Sequence, residues 1–355
     1  MPDLFTPLQI KGIELKNRIV VSPMCQYSAE DGFASNWHLV HLGSRAVGGA
    51  ALIITEATAV SPEGRISPFD LGIWKDEHIT RLKEITEFIH AQGAVAGIQL
   101  AHAGRKGSRL QPWKGGKQIL PTQENGWQTI APSAIPFAAG EWAPATLDLV
   151  GIEKVKSDFK AAAIRAKTAG FKLVEIHAAH GYLLNEFLSP LSNERTDQYG
   201  GSFENRIRLL LEVIDEVKTV WPAELLLFVR ISATEWVDGG WNKEDSISLA
   251  KILKGRGVDL VDCSSGGNVS TAKIPVTPGY QVEYAAAVRT AGVLTGAVGL
   301  ITDAQQANAV IEDGQADVVI MARQLLRDPY FPLRAAAELG REIKWPSQYE
   351  RAKLR

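Results

Sequence analysis

The strongest constraint on this chain is an alternation that repeats from end to end. Short apolar runs alternate with longer segments whose apolar residues recur at three- and four-residue spacing, the patterns of buried strand and amphipathic helix. The strand-like runs are Ile19 to Val21, Ala51 to Thr55, Val95 to Leu100, Leu173 to Ile176, Leu225 to Arg230, Val258 to Asp262, Val293 to Thr295 and Asp317 to Met321. Helical patterns lie at Trp37 to Val47, His78 to Gln92, Val150 to Ala169, Phe203 to Val220, Lys243 to Lys254, Glu283 to Arg289 and Asp303 to Glu312. Such alternation implies a parallel sheet, and eight strand–helix units imply closure into a (β/α)8 TIM barrel. A hairpin over residues 6–18, turning at Gly12, is placed to close the bottom of that barrel. No linker or compositional break appears, so residues 1–355 are expected to form a single domain. The one long irregular stretch, Ala101 to Pro144, follows the third strand and is expected to overhang the active face.

In a parallel barrel, ligands sit at the C-terminal ends of the strands. In order, those ends offer Cys25 and Tyr27; Glu56 and Ala57; Gln99 and His102; His177, His180 and Tyr182; Arg230; Ser264, Ser265 and Gly266; Gly296 and Gly299; and Arg323. Each has a bland explanation: Gln99 could cap a loop, Arg230 could pair with a carboxylate, and the histidines could satisfy buried backbone groups. Polar groups at nearly every position of one rim are hard to explain as packing. Two histidines and a tyrosine beyond the fourth strand suggest a working surface. Histidine is a common metal ligand, but His-x-x-His here lacks the glutamate of the zincin pattern and has no third ligand nearby, so no metal is expected. Gly296 to Gly299, with Arg323 after the eighth strand, fall where barrels often hold a phosphate. The rim therefore suggests a phosphorylated ligand whose head group reaches toward Gln99 and Arg230.

Bulk properties remove other classes. A net charge of −2 gives no reason to expect nucleic acid or an anionic membrane as partner. No apolar run approaches the ~20 residues of a membrane span, and the N-terminus lacks a signal-peptide pattern. Two cysteines are too few for a disulfide framework or an iron–sulfur cluster, so a reduced, cytoplasmic protein is expected.

Separated motifs then carry a resemblance. They are Ser22-Pro23-Met24-Cys25-Gln26-Tyr27, the run Gly97 to Arg105 (GIQLAHAGR), Glu175 to Tyr182 (EIHAAHGY), Ser189 to Arg195 (SPLSNER), Tyr199 to Ser202 (YGGS) and Asn205-Arg206. The chain resembles the Old Yellow Enzyme family of FMN-dependent ene-reductases almost end to end, and within it the bacterial subgroup of NADPH dehydrogenases and xenobiotic reductases. Cys25 and the His177/His180 pair are similar to that subgroup's pattern.

The resemblance implies FMN as cofactor and NADPH as reductant, with NADH as a second possibility. By position it assigns Ser22, Pro23, Met24, Cys25, Ala57, Gln99, Arg230, Gly296, Ala322 and Arg323 to the flavin. Tyr27, His177 and His180 would hold the substrate carbonyl, and Tyr182 would donate the proton. Ala322 departs from the glycine usual there. The implied reaction reduces the C=C bond of α,β-unsaturated aldehydes, ketones, maleimides and nitro compounds by hydride transfer from flavin N5. Arg351, in a C-terminal tail (340–355) at a subunit interface, would enter the neighbouring active site of a homodimer or homotetramer. Two rivals stay open at this stage: a flavin-free barrel lyase or epimerase with His177 as base, and a flavin-containing binding or redox-sensing protein with little turnover.

Overall fold

The computed structural model describes residues Pro2–Lys353. Eight parallel strands close into a barrel in simple sequential order: β1 (Ile19–Val21), β2 (Leu52–Ala59), β3 (Val95–Ala101), β4 (Leu173–Ala178), β5 (Leu226–Ser232), β6 (Leu260–Ser264), β7 (Leu294–Ala297) and β8 (Val318–Met321). Outside them run α1 (Asn36–Val47), α2 (His78–Ala91), α3 (Leu149–Thr168), α4 (Arg208–Lys218), α5 (Lys243–Gly255), α6 (Val282–Arg289), α7 (Ala304–Glu312) and α8 (Phe331–Glu338). The expected (β/α)8 architecture is therefore present.

Three local differences matter. β2, β4 and β5 run past their expected ends, which puts Ala57 and His177 on the strands themselves and Arg230 inside its strand rather than at its end. Their alternation continues into polar side chains, a signal that hydrophobicity alone does not carry. The helix expected over Phe203–Val220 is interrupted at Ile207, giving Phe203–Arg206 before α4. Beyond the expected elements, Leu183–Leu188 forms a short helix after β4, and Arg323–Arg327 and α8 follow β8.

The barrel interior is divided by height. Its lower layers are apolar: Val20, Leu52, Val95, Leu173, Leu226, Leu260 and Val318 pack together with Ile10 and Leu15. Those last two come from the antiparallel hairpin Leu8–Ile10/Ile13–Leu15, which seals the bottom as the sequence implied. Its turn needs a left-handed residue, and Lys11 supplies it at φ 54° ahead of Gly12. The upper layers are polar and lie in register: Gln99 is opposite Glu175, while His177, Arg230, Asp262 and Gly296 run side by side across β4 to β7. The excursion after β3 folds mostly as loop, with a two-residue parallel pairing of Ile130–Ala131 and Ala145–Thr146. Arg109 and Glu141 brace it internally at 2.5 Å.

Candidate active site

The loop leaving β1 is held from below. Gln26 donates its backbone N–H to Glu56 Oε2 at 2.9 Å, and the other Glu56 oxygen lies 3.1 Å from His38 Nε2. The Ser35 backbone N–H donates to His38 Nδ1 at 2.9 Å, so Nδ1 is the accepting nitrogen and Nε2, on the Glu56 side, carries the ring proton. This strut fixes Tyr27, whose backbone takes a left-handed φ of 50°. Desolvation, with Asp70 and Glu56 nearby, pushes the Cys25 thiol up, so it stays a thiol and is a poor nucleophile.

At the barrel mouth, Arg230 Nη1 donates to Ser22 Oγ at 3.2 Å and its Nε faces Asp262 Oδ2 at 3.1 Å. Gln99 Nε2 donates to Glu175 Oε1 at 2.8 Å. Ala57 is paired with Gln99 just above a register shift in β2, so a small side chain borders the same mouth.

The end of β4 carries His177, and the turn after it carries His180 and Tyr182. His180 has φ 60°, held by its N–H donating to Ser232 Oγ at 2.8 Å. Gly181, at φ 70°, lies so close to the loop after β6 that a Cβ would meet Gly267 O at 2.4 Å. The His177 ring stands edge-on to both neighbours, 5.3 Å from His180 and 5.1 Å from Tyr182 between centroids. His180 Nε2 lies 2.6 Å from Ser264 Oγ, while His177 Nδ1 is buried with no partner among the described residues. Lys106 ties this turn down: its ammonium donates to His180 O and Gly267 O, each at 2.8 Å, and sits 5.1 Å from the Tyr182 ring centre. Desolvation drives Lys106 down to about 7, and neighbouring Arg109 adds to the shift. Burial and then Arg230 hold both site histidines well below the usual imidazole range, so they are neutral at pH 7. Burial pushes Tyr182 well above the usual phenol value, so it keeps its proton. Gly181→Ala is expected to cost about 2–4 kcal/mol, from the left-handed backbone plus the clash with Gly267, read by urea unfolding.

Between the loops after β7 and β8 lies a cavity of about 130 Å³, lined in part by Ser264, Gln281, Gly299, Ala322 and Arg323. Gly299 borders it at φ 124°. Gly296 sits within β7, where a Cβ would come 2.3 Å from Ile320 Cδ1, so its small size serves packing under the cavity. A phosphate-sized recess with a cation at its edge, on the same barrel rim as the Arg230–Gln99 mouth, fits a flavin mononucleotide laid across that rim. No group of three or more His, Cys, Asp or Glu able to hold a metal occurs among the described residues.

The model of the NADH:flavin oxidoreductase / NADH oxidase family matches residues 3–342. The chain belongs to that family. It is 53% identical to an NADPH dehydrogenase of Halalkalibacterium halodurans over 354 residues, covering 99% of each chain. It is 51% identical to an NADPH dehydrogenase of Bacillus subtilis, covering 98% of each. Among solved structures, morphinone reductase in complex with tetrahydroNAD superposes with a TM-score of 0.80 at 32% identity, over 98% of this chain and 93% of that one. This is therefore an FMN-dependent oxidoreductase of the Old Yellow Enzyme type that uses reduced nicotinamide.

Within this family member, the structure gathers Ser22, Ala57, Gln99 and Arg230 at the mouth, Ala322 and Arg323 at the recess, and His177 at the end of β4 against His180 and Tyr182 on the turn after it. Pro23 and Met24 continue the loop from Ser22, and Met24 O accepts from the Gln26 side chain at 2.7 Å. Arg351 stands apart. Tail residues Glu342–Gln348 line a recess with Lys16, Gln92 and Gly93 at the barrel bottom, and Arg351 follows, exposed, in the turn Ser347–Ala352. The last two residues of the tail lie outside the described residues. Lys106, His38 and Asp262 are site residues that the strand-end reading passed over. A charge within an apolar run, as in Leu260-Val261-Asp262, was the signal available for the last of these.

Proposed function

We propose that this single FMN-binding domain is a cytoplasmic ene-reductase, reducing the activated C=C of α,β-unsaturated aldehydes, ketones, maleimides and nitro compounds at the expense of NADPH. The observation that carries this reading is the end of β4 with the turn after it, which together present two neutral imidazoles and a protonated phenol beside one mouth. Ser22 to Cys25, Ala57, Gln99 and Arg230 would hold the flavin ring and Ala322–Arg323 its phosphate; bound FMN supplies hydride chemistry at N5.

The chain's own residues do the rest. His177 and His180 offer N–H donors to the substrate oxygen, where charge accumulates, an arrangement worth about 10²–10³ in rate per donor. For Nε2 of His180 to serve, the substrate oxygen must replace Ser264 Oγ, an exchange of one oxygen partner for another. Tyr182 holds a proton at its phenol oxygen and Lys106 fixes the backbone and ring that aim it. Tyr27, beyond Cys25, completes the oxygen-binding side. Steady-state turnover on cyclohexenone, a maleimide and a nitroalkene, with saturated products identified, tests the reading. NADPH consumption without any saturated product ends it.

The subunit arrangement belongs to the same proposal: a homodimer or homotetramer in which Arg351 enters the neighbouring site. Its exposure on a tail that runs under its own barrel supports this, because a guanidinium there can reach another subunit. Arg351→Ala should raise the KM for enone several-fold with FMN content unchanged. Mixed with His177→Ala subunits, it should regain activity as hybrids form; exchange without recovery removes the cross-subunit role.

A further inference from the structure

Beneath the Gln99–Arg230 mouth lie two carboxyl groups and one cation. Glu175 and Asp262 are fully buried, and Arg230 and Gln99 are nearly so. The groups facing Glu175 are Gln99 on β3, Phe228, Arg230 and Asp262 on β5 and β6, and His177 two residues along its own strand. His177 is neutral, so Arg230 is the sole positive charge among them. Asp262 is the carboxyl within ion-pair distance of it, Oδ2 lying 3.1 Å from Arg230 Nε, although neither Asp262 oxygen has a hydrogen-bond partner among the described residues. Glu175 has only the neutral Gln99 amide on Oε1, and its Oε2 is buried with no partner among the described residues.

Two ionised carboxylates against one guanidinium would leave a net negative charge in a dry barrel, directly below the edge that takes the flavin. Like charges in a shared buried site force one acid to keep its proton, and the acid without a cation is the one that does. We propose that Glu175 stands as a neutral carboxylic acid and acts as a positioning residue, its proton keeping the Gln99–Arg230 edge free of net negative charge so that it can hold the flavin. This rests on the reading that Gln99 and Arg230 bind FMN.

Burial, then Asp262, push Glu175 up to about 8, while Arg230 beside it and Gln99 pull the other way. Because the value is raised, the fold's preference for the protonated acid is fully present below the ordinary carboxyl value near 4.5 and is lost as pH rises through about 8. Glu186 is a second buried acid raised to about 8, by burial on the far side of Gly104, so the test must separate the two.

The experiment is an infrared pH titration of the carboxylic-acid C=O band in wild-type holoenzyme, E175Q and E186Q, with FMN dissociation measured alongside. The amide introduced by E175Q would keep the oxygen that accepts from Gln99. A band present at pH 6.5 should fade with a midpoint near 8, and E175Q should lack a share of it that E186Q retains. The FMN dissociation constant should rise about tenfold between pH 7 and 9.5 in wild type, the weight of roughly one pK unit of interaction, and less than twofold in E175Q. A wild-type-minus-E175Q spectrum without an acid band at pH 6.5, or identical FMN profiles in the two proteins, overturns the proposal. Should E175Q not fold, D262N decides: removing the like charge must move the Glu175 midpoint to lower pH, and an unmoved midpoint refutes it. If wild type binds no FMN at all, the flavin reading falls, while the infrared band still reports whether Glu175 carries a proton.

Discussion

Replacing Tyr182 with phenylalanine should slow enone reduction by about 10²–10⁴-fold, the usual range for a lost general acid, while NADPH still bleaches the flavin at nearly the wild-type rate. The substitution removes one hydroxyl and keeps the ring. The edge-on contact with His177 and the Lys106 ammonium over the ring face therefore survive, and the turn should keep its shape. What disappears is the proton that burial holds on the phenol. Stopped-flow measurement of the two half-reactions separates the roles. A loss below tenfold would make solvent the proton source and reduce Tyr182 to packing.

The second large effect concerns His177. His177→Ala should lower turnover on enones by about 10²–10³-fold, the typical cost of one lost donor to a developing oxyanion. It should also weaken phenol binding and the long-wavelength absorbance that a bound phenol gives with flavin. The ring is buried, neutral and edge-on to both His180 and Tyr182, and its Nδ1 has no partner among the described residues. Its removal thus takes away a donor and a spacer together. His180→Ala alone should cost less, since Ser264 already competes for Nε2. Phenol affinity that does not change in His177→Ala would remove the histidines from the oxygen-binding role.

Much of this site was legible because barrel topology converts position along the chain into position in space. Once eight units are counted, the ends of the runs at Cys25, Gln99, His177, Arg230 and Arg323 must converge, whatever their separation in sequence. The boundaries were less legible for a physical reason. Hydrophobic periodicity stops where the interior becomes polar, so β4 was expected to end at Ile176 and β5 at Arg230, although the ladder runs on to Ala178 and Ser232. Asp262 was placed on its strand but given no role, so the buried charge balance under the mouth went unread. Lys106 was invisible because its role comes from two carbonyls, at His180 and Gly267, far from it in the chain. The eighth barrel helix escaped because its pattern is short and begins at Phe331-Pro332, where proline reads as a stop yet is tolerated in a helix's first turn. Gly296 carries a second constraint that the sequence did not show: a Cβ there would meet Ile320, so its small size also serves packing, and Gly299 borders the recess.

The most direct test of the account is an anaerobic double-mixing experiment on the purified holoenzyme. NADPH is added first and the flavin absorbance followed to full bleaching, and cyclohexenone is then added without oxygen. The yellow absorbance should return within the catalytic turnover time, with one equivalent of cyclohexanone formed per flavin. A flavin that bleaches and then stays reduced in the presence of excess enone would contradict it, and would mark the protein as a binder or sensor of reduced nicotinamide instead.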